Sequence, residues 1–203
     1  MATGQRADAR ASRERLLAAA REVFAESGPD ASLNEVAKRA GVGPGTLYRH
    51  FPRRQALLAA LLQDRVEKLR TLAGALSAPD ADPDDALARW LHAFLAHARV
   101  NQGLGGTLLT EEPSLAEELE ALGLDCHRTI RDAAARLLDR AQRHGTARAD
   151  LSAGDVVQLV AGIALSTART GEPDRSERLL GLVLDAVWCT PRAAGAPWKQ
   201  RLP

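Results

Sequence analysis

Gly41, Gly43 and Gly45 fall at alternate positions in RAGVGPGTLYRHF (residues 39–51), and Thr46 follows directly. Glycines ahead of a threonine can do phosphate chemistry. Main-chain N–H groups at the mouth of a helix hold the anion, and the hydroxyl holds its metal. That chemistry needs a lysine directly before the threonine, and Gly45 stands there instead. The dinucleotide version needs GxGxxG with a strand in front of it. Here the spacing is GxGxG, and the preceding SLNEVAKRA has helical periodicity. The same glycines suit the tight turn of a helix-turn-helix pair, whose second helix presents its first residues to a major groove.

Other chemistry finds little support. Neither GxSxG nor HExxH occurs, so no catalytic residue is assigned and no enzyme is expected. His92 and His97 are five apart rather than four, and Cys126 and Cys189 form no CxxC, so neither a metal nor a cofactor is expected. The cluster Glu111, Glu112, Glu117, Glu118 and Glu120 reads as a solvated helix surface. Trp90, Phe94 and His97, at spacings of four and three, share one helix face. They could line an apolar effector pocket with one polar group, joined by His127 and Ser166 from other helices. A Trp/Phe stripe is also what a plain core looks like.

The totals agree with a binding protein. The chain has 203 residues, 45% of them hydrophobic and only 3% aromatic, which favours helices around a sizeable core. The net charge of +1 hides an asymmetry. Residues 1–60 hold ten Lys or Arg against six Asp or Glu, and the remainder holds 17 against 20. A basic front implies an anionic partner for that part alone. The polar N-terminus shows no signal peptide, and the apolar stretches near 156–168 and 179–188 are shorter than the roughly 20 residues that span a bilayer. A cytoplasmic protein without membrane contact is expected.

Helices must position these residues. Leu16, Leu17, Ala20, Val23 and Phe24 predict a first helix from about Ser12 to Ser27. Residues 1–11 are expected as a flexible basic arm, and Arg6 and Arg10, with Arg13 just after it, either reach a minor groove or belong to a solvated tail. Ser32 with Glu35 three residues on is the capping-box pattern, opening a short second helix that Gly41 ends. Pro44 opens a third, capped by Gly43, and a fourth runs from near Arg53 to about Leu76. Further helices carry the chain to residue 190, with an ambiguous NQGLGGTLLT segment among them. The last two, from Val156 to Ala168 and from Leu179 to Trp188, are apolar round most of their circumference. They form either a core pair or a homodimer interface, with Val160, Gly162, Leu180, Gly181 and Leu184 as its candidates. The fold class is all-α, about nine helices: an N-terminal three-helix helix-turn-helix domain (12–54), a helical-bundle effector and dimerisation domain (55–190) and a flexible tail (191–203).

In the turn, Gly41 takes positive φ, Val42 plugs a small core, and Leu47 and Phe51 face that core four apart. This leaves Pro44, Gly45, Thr46, Tyr48, Arg49 and His50 on or near the outward side. Thr46 can offer a methyl to thymine or a hydroxyl to a base or phosphate, Tyr48 and His50 suit phosphate oxygens, and Arg49 suits either. The stretch SLNEVAKRAGVGPGTLYRHFPRRQALLAAL, with RERLLAAAREVFAESG upstream, resembles the DNA-binding domain of the TetR family of transcriptional regulators over roughly residues 12–62. The resemblance implies a homodimer on double-stranded operator DNA, most often a repressor released by a small-molecule effector of unknown identity. It also implies that Ser32 and Asn34 touch phosphate or a base edge, that Gly43 to His50 form the reading helix, and that Arg53 and Arg54 grip phosphate. Many members carry serine where Gly43 stands, so the contact there rests on main-chain N–H alone. The alternative is a helical enzyme or protein-interaction module with an incidental helix-turn-helix.

Overall fold

The computed structural model describes residues 2–28, 31–103, 125–167 and 173–189. Among these residues it holds eight helices: α1 (Ala2–Ser27), α2 (Leu33–Arg39), α3 (Pro44–His50), α4 (Arg54–Leu76), α5 (Pro83–Gly103), α6 (Cys126–His144), α7 (Ala153–Thr167) and α8 (Pro173–Val187). The only extended pairing among them is a single antiparallel bridge between Ala147 and Trp188. The all-α expectation of about nine helices stands close to this. The stretch 104–124, the end at Ala168 of the helix expected from Val156, and the tail 191–203 lie outside the described residues.

Two compact units divide the chain, residues 1–68 with 97–126 and residues 69–96 with 127–203. The boundary between 68 and 69 falls within α4, so that helix contributes to both.

In the first unit, Leu16, Leu17, Ala20, Val23 and Phe24 of α1 close over Val36 and Ala37 of α2, Leu47 of α3, Phe51 and the first turns of α4. Gly28 (φ +77°) ends α1. Ser32 caps α2 by accepting from the Asn34 N–H at 3.2 Å, while Glu35 lies 3.7 Å from Arg39, so only half of the expected capping box forms. Gly41 (φ +66°) and Val42 then return their N–H groups to the Lys38 and Ala37 carbonyls, at 3.1 and 3.0 Å. That pair of bonds is a Schellman stop, which needs the left-handed backbone that glycine adopts without strain. α1 differs from expectation: residues 2–11 are helical and continuous with the core segment.

The second unit uses polar groups to tie distant segments. Trp90 is fully buried, stacks on Phe94 at 5.6 Å and donates its indole N–H to the Leu69 carbonyl at 3.0 Å. Arg140 of α6 donates to the carbonyls of Leu76, Ala78 and Ala81 at 3.0–3.1 Å, capping the C-terminal end of α4 and the turn after it. Thr146 donates a short bond to Asp84, and Ser152 and Asp155 cap α7 reciprocally. α7 and α8 pack together through Val156, Val160, Ile163 and Ala164 on one side and Leu180 and Val187 on the other.

Candidate nucleic-acid interface

α3 is seven residues long, and its sequence orients it. Leu47 is buried and Phe51, its C-cap, closes the core behind it, so this face points inward. The opposite face is thereby left to Tyr48, which is 47% exposed, and to Arg49. Thr46 is half-buried at the rim. The Arg49 Nε donates to the Gly45 carbonyl at 3.2 Å, which lays that side chain back along the helix toward its first turn. His50 leans on Phe51 in a tilted ring contact at 6.3 Å. Gly43 caps α3 without a side-chain hydrogen bond, and Pro44 occupies its first turn. A β-carbon placed at Gly43 or Gly45 would meet nothing within 4 Å, so the leading edge of α3 is bare backbone on its solvent side. A helix this slender, with short residues in front and a phenol and a guanidinium beside them, matches a groove about 12 Å wide.

The two arginines after the break separate in role. Arg53 is exposed. Arg54 turns inward: its guanidinium donates to the Ala31 carbonyl at 2.8 Å and lies 6.0 Å from the centre of the Phe24 ring. It therefore staples the start of α4 to the loop before α2. Ser32 and Asn34 are both exposed at the front of α2, with the Ser32 oxygen engaged in its cap.

Two family profiles cover most of the chain. The one described as bacterial regulatory proteins, tetR family, matches residues 16–61, and the one described as the C-terminal domain of SbtR-like transcriptional regulators matches residues 82–187. The chain belongs to the TetR family. A TetR-family transcriptional regulator of Streptomyces coelicolor superposes with a TM-score of 0.67 at 36% identity, over 87% of this chain and 98% of that one. Another, from Mycobacterium vanbaalenii, gives 0.63 at 31% identity over 91% and 99%. The regulator UidR of Escherichia coli is 41% identical over 71 residues, which are 34% of this chain and 36% of UidR. The matches thus span about a third to a half of the length of the curated relatives matched first. TetR membership places the protein among transcriptional regulators rather than enzymes.

The expected effector residues do not fall into one environment. Trp90, Phe94 and His97 are buried along α5, whereas His127 and Ser166 are exposed. The Trp90 N–H is satisfied inside the fold, as in a core residue. Burial, with the Arg65 charge adding to it, pushes the His97 imidazole down to about 4, so it is uncharged at neutral pH. Burial also pushes the Cys126 thiol up to about 11, which leaves it protonated and inert. A cleft of about 680 Å³ in the second unit is lined by Pro79, Asp82, Pro83, Arg140 and His144 among others, and by none of the expected effector residues.

The interface candidates also divide. Val160 and Leu180 are fully buried within the second unit and serve its own core, a correction to their expected place on an outer surface. The reason is helical period: they share a face with Val156 and Val187, which the α7–α8 contact covers. Gly162 is exposed, and Gly181 and Leu184 are half-buried. The apolar side chains that do stand outward are Leu159, Leu165 and Leu182, at 44–60% exposure, and periodicity alone did not single them out. Among the described residues no three His, Cys, Asp or Glu side chains gather as metal ligands, and no helix is long and apolar enough to cross a membrane.

Proposed function

We propose that this TetR-family protein is a homodimeric repressor that binds a near-palindromic operator through α3 and releases it when a small molecule binds the C-terminal part. The observation that carries the reading is the orientation of α3, with Leu47 and Phe51 locked into the core and Tyr48, Arg49 and the bare Gly43–Gly45 edge turned to solvent. In a dimer, two such helices would enter successive major grooves about 34–36 Å apart. Ser32, Asn34, Arg53 and the main-chain N–H of Gly43 would hold phosphates, with Thr46, Tyr48 and Arg49 nearest the bases and His50 at the rim.

The dimer surface fits the outward face of α7 and α8. Leu159, Leu165 and Leu182 form apolar exposure that a second copy would cover, and Gly162 and Gly181 have open space where a β-carbon would stand. Nothing among the described residues requires glycine at those two positions, whereas close approach of a partner helix would. Effector and operator affinities would then be reciprocally coupled, typically by 1–3 kcal/mol or roughly 5–150-fold.

Selection of binding duplexes from a random pool with the purified protein supplies the operator. Gel shifts with Thr46→Ala and Tyr48→Ala should then lose specific binding, while stability stays within about 0.5 kcal/mol of the parent. Wild-type affinity in both variants would mean that α3 is not the reading helix.

A further inference from the structure

We propose that the N-terminal half of α1 is a rigid basic ridge that grips the phosphate backbone of duplex DNA beside the end of α3. The proposal rests on the DNA-binding reading above and extends its contact surface. α1 runs unbroken from Ala2 to Ser27, yet its core residues begin only at Leu16. Residues 7–11 are all exposed, so this stretch of the helix has no packed face of its own. Short helices without a packed face are marginal in water, and this one is held by continuity with the core segment.

The register of the extension is informative. Positions 6, 10 and 13 are arginines at i, i+4 and i+7, and the same stripe continues through Leu17 to Phe24. Leu17 and Phe24 are buried in the core of the first unit. The ridge is therefore the outward prolongation of the core-facing edge of α1, and it lies on the side where α3 ends and α4 begins. Two contacts fix that side. The Arg13 guanidinium stands 5.4 Å from the centre of the Phe51 ring, at the C-cap of α3, and Arg54 stands over Phe24. Positions 10 and 6 then lie ~5 and ~10 Å beyond Arg13 along the helix axis, from the rise of 1.5 Å per residue.

The charges along the ridge are of one sign. Asp8 falls on the opposite side of the helix, half a revolution from the arginine stripe. Glu14 pairs with Arg10 at 3.1 Å, with both side chains largely exposed. Such a pair is weak and exchanges readily for a phosphate oxygen. Arg13, set over the Phe51 ring, is positioned relative to α3 by that contact. A helix edge with arginine positions at axial intervals of about 4.5–6 Å, fixed at the foot of a reading helix, suits the spacing of a phosphate backbone. Threading into a minor groove would instead need an extended segment.

The test measures affinity against salt concentration, on the selected operator and on an unrelated duplex, for the full-length protein and two variants. Arg6→Gln with Arg10→Gln should make the slope of log K on log salt shallower by about 0.9 for each phosphate no longer neutralised, and weaken both duplexes by the same factor. Arg10→Ala with Ala11→Arg keeps net charge but moves the guanidinium about 100° round the helix. It should lose slope as Arg10→Ala alone does. A wild-type slope in that second variant would show an unstructured polycationic tail and overturn the ridge. So would an unchanged slope in the first, or a loss confined to duplexes with A·T-rich flanks, which marks minor-groove insertion. If the parent protein binds no duplex at all, the DNA-binding reading fails with it. If the parent binds and only the variants behave as wild type, the ridge alone fails.

Discussion

The first three helices and the second unit are both closed by apolar side chains, but they differ in how far their polar ties reach along the chain. Around α1–α3 the core is apolar and small, closed by Leu, Val, Ala and Phe, and the side chains facing α3's outward side take almost no part in it. In the second unit the core is apolar as well, with Leu87, Leu91, Leu95, Leu137 and Leu180 fully buried, but polar side chains add ties between distant segments. Trp90 reaches a carbonyl 21 residues away, and Arg140 reaches carbonyls 59 to 64 residues away. The lesson is that recognition and stability are separable in the one and fused in the other. Tyr48 can change without disturbing what holds α3, whereas a polar side chain in the second unit is seldom spare.

The contrast breaks hardest at Trp90. Trp90→Ala removes a fully buried ring, its stacking on Phe94 and its bond to Leu69, and should cost about 3–5 kcal/mol in denaturant unfolding. A loss below about 1 kcal/mol would mean that the ring sits in a space able to collapse.

Acid should act through His97. Its folded pKa of about 4 lies below the unfolded value of 6.5, so the unfolded chain binds more protons between the two. Stability is fully present above pH 6.5 and falls by a few kcal/mol as pH drops toward 4. In His97→Gln this slope should flatten, which chemical denaturation at a series of pH values would reveal.

Arg140→Ala comes next, with about 1–3 kcal/mol expected from three carbonyls losing a charged donor. Because the effect lies in the second unit, affinity for a saturating non-specific duplex should stay near that of the parent once the protein is folded. The smallest effect sharpens the comparison from the other side. Gly43→Ser supplies the missing cap of α3 in a position where nothing stands within 4 Å. It should stabilise by only a few tenths of a kcal/mol, read as a slightly raised thermal midpoint, because glycine is itself a tolerable cap.

How much of this the amino-acid order discloses depends on distance along the chain. The turn of α2 into α3 is legible because every part of it lies within twenty residues: Ser32 caps, Gly41 turns, Leu47 and Phe51 face in. The extension of α1 was hidden because hydrophobic periodicity sees only helices that bury a face, and ADARA at positions 7–11 is exposed throughout while still being rich in Ala and Arg. Arg54 resembled its neighbour Arg53 as a phosphate grip. Its inward turn depends on where the Ala31 carbonyl and the Phe24 ring lie in space. α8 starts at Pro173, six residues before the first apolar position, because its opening turn carries the exposed charges Asp174 and Arg175 and a buried but polar Ser176. Val160 and Leu180 belong to the core for the same reason that they looked like an interface: an apolar helix does not announce which of its faces a neighbour covers.

The Arg140 clamp bears on how regulators of this kind could be recombined. The two family profiles leave residues 62–81 unmatched, and the second half of α4 and the turn after it lie in that interval. Arg140 grips main-chain oxygens, which every amino acid provides, so it places no demand on which side chains occupy positions 76, 78 and 81. A graft that exchanges the reading head should therefore be spliced in the turn between α4 and α5, leaving α4 whole with its own head. The receiving half would dock the foreign helix end with the contact it already owns, as long as positions 69, 73 and 76, buried here as Leu, Ala and Leu, stay apolar.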